Sequence, residues 1–311
     1  MPARGRRGLL ILAGVLLGGL LAFFAPGSVL WMRPALQPAF AVTMFFVGTL
    51  VLPEQLRAFA GAPLRIVAGL AGQYTIMPLG AAAVSLFYPD PQVRAGVVLV
   101  GCMPGAMASN VMTLLFRGDV VLSVTMTTLA TLLSPVVLAL WLPLLADTRM
   151  HVPVGPLVWN ATWMVVLPVA AGIAVRLARG RMPARWEATA TALASSAIVL
   201  IVLVVVAANR ERLADLGPGL ALGMVALNLG AYALAFLVAV ALGWPPPQRR
   251  TLVIEVGMQN AGLGSVLALT HLGEAGAVPS AFYTGLCVLT VALALPFRDR
   301  LAGRTGEEAS P

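Results

Sequence analysis

Apolar residues run along this chain in ten blocks separated by short polar or proline-rich links, at about 8–24, 38–52, 63–87, 92–116, 119–145, 155–175, 186–208, 217–243, 251–272 and 278–297. As a helix, each block is long enough to cross ~30 Å of hydrocarbon, the shorter ones only marginally. The pattern predicts an all-α polytopic membrane protein with ten spans in one domain. The basic start MPARGRR ahead of the first block also fits a secretory leader. The block is long for a leader core, however, and LAFFAPG is a poor small-x-small cleavage site, so a first span is expected. The polar link Asp147 to His151 divides the blocks into two sets of five, about 1–146 and 152–303, followed by a short tail at 304–311.

Two blocks are interrupted. The fourth contains MPGAMASNVMTLLFR, which places Pro104, Gly105, Ser109 and Asn110 where a plain span carries Leu and Val. The ninth contains EVGMQNAG, and its Asn260 lies 150 residues after Asn110, at the matching place in the second half. A helix broken in mid-bilayer frees backbone groups that lipid cannot satisfy, so it is tolerated only against a cavity, an ion or a polar ligand. Paired interrupted spans of this kind point to the central site of a secondary transporter.

Composition agrees: the chain is 59% hydrophobic and 10% charged, with a mean hydropathy of +0.93. That leaves too little polar residue to cover a soluble globule of this length. The net charge of +8 does not imply a nucleic-acid partner, because the basic residues are scattered between apolar blocks and never interleave with aromatics. All 20 basic residues are arginines. With a cytoplasmic N-terminus, 15 of them fall inside and five (Arg33, Arg94, Arg149, Arg210, Arg212) outside, so the positive-inside rule predicts both termini cytoplasmic. Five spans per half reverse the second half relative to the first, the condition for an inverted repeat whose broken helices 4 and 9 cross near the midplane. The two cysteines, Cys102 and Cys287, both lie in apolar blocks and propose neither a disulfide framework nor a metal cluster.

Of the twelve acidic residues, Glu255 alone falls in the interior of a span; the others lie in links, at span ends or in the tail. An ionised group near the bilayer centre costs ~2.5 to 3.5 kcal/mol on insertion scales and normally has a partner. No arginine lies in the interior of an expected span; Arg65 and Arg94 fall at span ends. Two readings stay open: Glu255 is protonated or reaches the membrane face just beyond Arg250, or a bound cation neutralises it. The other oxygen donors suit a cation. Ser123 and Thr127 stand one helical turn apart, with Thr131 on the same stripe; Ser109 and Asn110 come from the first break, Gln259 and Asn260 from the second, and Gln73 from the third span. Hard oxygen donors with one carboxylate fit a weakly held alkali ion, whereas a transition metal asks for His or Cys.

These residues carry a resemblance. The block Pro104 to Pro135 resembles the fourth and fifth helices of the bile acid:sodium symporter family, and IEVGMQNAGL, from Ile254 to Leu263, resembles its ninth. The resemblance implies a ten-helix inverted repeat divided into a panel of helices 1, 2, 6 and 7 and a core of helices 3 to 5 and 8 to 10. It implies one sodium held by Ser109, Asn110, Ser123, Thr127 and Glu255. A second is held by Gln73, Glu255 and Gln259 with the backbone carbonyls of Val256 and Met258. Asn260 then faces the substrate cavity, with Met107 and Ala108 beside it. Sodium is the coupling ion, no further cofactor is implied, and no obligatory protein partner is evident. The chain departs from many members in having Gly105, Ala106 and Met107 where they carry Gly-Gly-Thr. The backbone that meets the substrate is therefore bulkier and more apolar, which puts bile acids themselves in doubt and leaves pantoate-like or other small carboxylates.

The reading that follows is sodium-coupled symport of an organic anion by alternating access across a bacterial inner membrane. The alternative is a proton-driven efflux permease of the same superfamily for arsenite or another small solute, which needs no double sodium site. An enzyme is not expected: His151 and His271 lie near span ends, no second carboxylate partners Glu255, and no serine is placed for a Ser-His dyad.

Overall fold

A computed structural model of the chain describes residues 18, 21–54, 63–145, 152–180, 182–208, 210 and 217–295. The named elements among them are all helical. A short turn at Gly27–Leu30 and a 3-10 turn at Arg33–Ala35 lead into α1, Leu36–Leu50. Then follow α2 (Pro63–Ser85), α3 (Pro91–Cys102), α4 (Ala108–Leu115) and α5 (Val120–Leu145). Helix α6 runs over Val154–Arg179 and passes through a π turn at Thr162–Val166, where Pro168 withholds an N–H from the preceding turn. The remainder are α7 (Ala184–Ala208), α8 (Gly217–Ala241), α9 (Pro246–Gly257), α10 (Ala261–His271) and α11 (Glu274–Ala294).

Among the described residues, five helices are long and apolar enough to cross a membrane: α2, α5, α6, α8 and α11, of 21 to 26 residues. At 1.5 Å per residue they reach about 31 to 39 Å. Their outer faces carry exposed Leu79, Val136, Leu140, Leu222, Leu237 and Leu293, as helices facing hydrocarbon do. Most of the expected first span, the link Asp147 to His151 and the tail 304–311 lie outside the described residues.

Helix bounds otherwise follow the apolar blocks, with two instructive shifts. The ninth block begins at 251, yet α9 starts at Pro246. Prolines at its first positions lack only N–H groups that have no partner there, so the helix extends through Gln248, Arg249 and Arg250 ahead of the apolar stretch. Likewise α11 starts at Glu274 rather than at 278, with its acid in the first turn where the helix dipole favours it. Hydropathy marks where the apolar medium begins, which need not be where the helix begins.

Close helix contacts rest on glycine. A Cβ on Gly172 of α6 would lie 2.9 Å from the Gly48 α-carbon of α1, and one on Gly96 of α3 would lie 3.1 Å from the Gly276 α-carbon of α11. Small residues let backbones approach in this way within membranes. Helix α1 packs on α6 and α7, while α2, α3, α5, α8, α9 and α11 pack chiefly on one another.

Both expected breaks are present. Helix α3 stops at Cys102 because Met103 precedes Pro104 and is held extended, at φ −72° and ψ 151°. Helix α9 stops at Gly257, and α10 begins after Asn260, whose side-chain oxygen accepts from the Leu263 N–H at 3.2 Å as an N-cap. The two interrupted segments meet. The Ala106 N–H donates to the Met258 carbonyl at 2.8 Å, the Asn260 N–H donates to the Pro104 carbonyl at 2.7 Å, and Gly105 stands opposite Gln259 in an antiparallel bridge. Each break thus satisfies backbone groups freed by the other, in a place where lipid offers none.

Candidate cation site at the crossing

Glu255, on the last turn of α9, is wholly buried, and among the described residues no arginine or histidine pairs with it. Its Oε1 accepts from the Ser109 hydroxyl at 2.6 Å and from the Ser123 hydroxyl; its Oε2 accepts from the Thr127 hydroxyl at 2.8 Å. The Asn110 side-chain oxygen lies 2.8 Å from Ser123 Oγ and 3.3 Å from Thr127 Oγ1. The first set of expected ligands is therefore gathered around one carboxylate. Ser123 and Thr127 reach it together because they are four residues apart on α5. Ser109 and Asn110 reach it because α4 restarts just beyond the break. Thr131, the third hydroxyl of the stripe, donates instead to the Thr127 carbonyl at 2.7 Å.

Oxygens crowd this locus beyond the protons available. Ser123 Oγ has three oxygen neighbours in Glu255, Asn110 and Thr113, the last at 3.2 Å, and one hydroxyl proton to give them. Thr127 Oγ1 likewise faces Glu255, Asn110 and the Ser123 carbonyl, the last at 2.9 Å. A compact set of oxygen lone pairs with one carboxylate and too few protons is what a hard monovalent cation requires.

The second set borders the same backbone crossing. A methyl on Gly105 would fall 2.8 Å from Glu255 Oε2 and 3.6 Å from Gln73 Nε2, so both side chains border that glycine. Gln73 is wholly buried, and neither end of its amide has a partner. Gln259 donates through Nε2 to the Val256 carbonyl at 2.7 Å, and its buried Oε1 has no partner. The Val256 and Met258 carbonyls each already accept one hydrogen bond, which leaves each a second lone pair. Buried amide oxygens without donors are costly in a protein interior, and a cation satisfies them.

Asn260, Met107 and Ala108 are half-buried at the starts of α10 and α4, beside the crossing. Sequence reasoning did not single out Thr113, Asn228 or Tyr283. Asn228 Nδ2 and the Tyr283 hydroxyl both donate to the Gly257 carbonyl, each at 3.0 Å, and Thr290 donates to Asn228 Oδ1 at 2.8 Å. These groups tether the end of α9. The signal for Asn228 was available: a lone amide in the apolar run ALNLGAYAL.

Three polar contacts join the group containing α1 and α6 to the other helices, where α10 ends and α11 begins. Arg33 pairs with Glu274 at 3.0 Å, Gln37 donates to Thr270 at 2.9 Å, and Asn160 Nδ2 lies 2.8 Å from His271 Nε2.

Comparison with known proteins bears on this arrangement. The family model described as the Sodium Bile acid symporter family matches residues 37–216. The chain is 36% identical over 272 residues to the uncharacterized sodium-dependent transporter YocS of Bacillus subtilis, covering 87% of this chain and 84% of that protein. It is 32% identical over 262 residues to the probable sodium/metabolite cotransporter BASS1, chloroplastic, of Arabidopsis thaliana, covering 84% of this chain and 65% of the plant protein. It is 28% identical over 261 residues to the P3 protein of Homo sapiens, covering 81% of this chain and 52% of the human protein.

Proposed function

The chain belongs to the sodium bile acid symporter family and is a sodium-dependent membrane transporter, and from that premise we propose that it carries a small organic anion by sodium symport. One sodium is bound by Glu255, Ser109, Asn110, Ser123 and Thr127. The other is bound by Glu255, Gln73, Gln259 and the carbonyls of Val256 and Met258. The substrate sits beside Asn260, Met107 and Ala108, at the starts of α4 and α10, where helix N-termini present their positive poles to an anion. Ten spans in two inverted repeats, with both termini cytoplasmic in a bacterial inner membrane, complete the reading.

The observation that carries it is the buried, arginine-free carboxylate of Glu255 between two groups of oxygen donors. An anion so placed is held by hydroxyl protons alone unless a cation arrives. Because Glu255 borders both groups, loading one ion changes the field at the other, and the ions rigidify the crossing on which Asn260 is mounted. Alternating access then moves the group containing α1, α6 and α7 against the rest. The contacts of Arg33, Gln37 and Asn160 support closure at one end. Uptake of labelled small carboxylates into proteoliposomes, with and without an imposed sodium gradient, tests the proposal. Sodium-driven accumulation of at least one anion is expected, and accumulation that follows a proton gradient with sodium absent overturns it.

A further inference from the structure

Far from the crossing, Arg176 in the last turn of α6 is only 4% exposed, and its Nε and Nη1 have no hydrogen-bond partner. No carboxylate pairs with it among the described residues. A buried, always-charged guanidinium with unspent donors awaits an anion.

The surroundings define which anion. Gly172, one turn before Arg176, is packed against Gly48 and Thr49 of α1. The Trp186 indole of α7 donates to Thr49 Oγ1 at 2.8 Å and lies against the Phe46 ring at 5.0 Å. The end of α1, the end of α6 and the start of α7 therefore meet within a turn of this arginine. Arg179, on the same turn of α6, and Arg185, at the start of α7, are exposed, and between positions 176 and 187 the sequence has four arginines against the single Glu187. The same helix end presents exposed Leu177. A buried arginine with further basic residues and apolar side chains near it, at the limit of a spanning helix, fits an amphiphile with an anionic head and an acyl body. A guanidinium fork matches phosphate oxygens.

We propose that the junction of α1, α6 and α7 is a binding site for the phosphodiester headgroup of an anionic phospholipid, held by Arg176 and flanked by Arg179 and Arg185. Lipid bound there ties α6 to α7 and steadies the helix group containing α1, independently of ion binding at Glu255.

The test uses full-length protein stripped of lipid in a neutral detergent. Thermal unfolding is followed after adding phosphatidylglycerol, phosphatidylcholine or inorganic phosphate at equal concentration, and retained lipid is counted by native mass spectrometry. The wild-type protein is expected to be stabilised by several degrees more with phosphatidylglycerol than with phosphatidylcholine, and to retain the former preferentially. Arg176→Gln should abolish that preference, and Arg176→Lys should keep part of it. Should Arg176→Gln fail to fold, the exposed double variant Arg179→Gln/Arg185→Gln replaces it, with a weakened, more salt-sensitive preference expected. Equal responses to the two lipids in the wild type, or an undiminished preference in the arginine variants, would overturn the proposal. Full stabilisation by inorganic phosphate alone would also overturn it, by making the site one for a free anion.

Discussion

Gly105 lies with its α-carbon against the carboxylate of Glu255, so that a methyl there would sit 2.8 Å from Oε2. The same methyl would press toward Gln73 Nε2 at 3.6 Å, and Gly105 is itself bridged to Gln259. The carboxylate has little room to move aside, since three hydroxyls hold it. Overpacking of a well-packed site costs about 1 to 3 kcal/mol. In Gly105→Ala, that cost should fall on the cation sites, since Gly105 has no positive φ that only glycine tolerates. Sodium affinity is expected to drop by roughly tenfold or more, at ~1.4 kcal/mol per decade, while the protein still folds. The midpoint of sodium-dependent thermal stabilisation measures this, and an unchanged midpoint would separate Gly105 from ion binding.

Thr127 and Thr131 offer an internal control. Thr127 donates to Glu255 Oε2, whereas Thr131 donates to the backbone of its own helix. Thr127→Ala should weaken sodium activation of uptake by about ten- to a hundredfold, in line with the loss of a hydrogen bond to a charged group worth roughly 1.5 to 3 kcal/mol. Thr131→Ala should leave it within about twofold. Equal effects of the two changes would mean that the hydroxyls stabilise α5 rather than bind the ion.

What the sequence made legible, and what it did not, follows from the range of each interaction. The spacing of Ser123 and Thr127 is a property of one helix, and Glu255 stood out because an acid within an apolar block is rare. Pro104 and Gly105 inside an apolar block announced the first break, since neither residue suits a helix interior. The partners of the freed backbone groups were not legible: the pairing of Ala106 with Met258 and of Pro104 with Asn260 joins segments some 150 residues apart. Nor did helical spacing reveal that Thr113 approaches Ser123, or that Asn228 and Tyr283 donate to the Gly257 carbonyl, because each contact depends on how separate helices are placed. Asn228 is a lone amide in an apolar run, a signal that goes unused in the sequence reading and that does not say what it touches.

The contact between Arg33 and Glu274 is exposed, with side chains 42% and 38% accessible, so its contribution is expected to be small, about 0 to 1 kcal/mol. Even that is enough to shift a two-state balance by up to about fivefold. Glu274→Arg should open the end where α10 meets α11, speeding the reaction of an impermeant maleimide with a cysteine placed at Gln37, which bonds Thr270 nearby. The charge-swapped double variant Arg33→Glu/Glu274→Arg should restore the slow rate. Failure of the swap to restore it would show that the pair does not hold that end closed.

Glu255→Gln separates the proposed ion site from a structural role. The substitution keeps the side chain's shape and one oxygen, but it removes the charge that compensates an ion for its lost water. In the absence of sodium the variant should unfold no earlier than the wild type, because a buried carboxylate without a cation partner is itself costly. Adding sodium should then stabilise the wild type progressively, by RT ln(1 + [Na⁺]/Kd), and leave the variant unmoved over the same range. The consequence reaches the substrate by linkage: if sodium tightens substrate binding, substrate must tighten sodium binding by the same factor, so a protein that has lost one coupling has lost the other. Substrate affinity in Glu255→Gln should accordingly become independent of sodium, even though Asn260, Met107 and Ala108 are unaltered. Titrating substrate at several sodium concentrations in both proteins gives the answer. A sodium response in the glutamine variant matching the wild type would place the cation elsewhere and make Glu255 a buried acid held by Ser109, Ser123 and Thr127 for the fold alone.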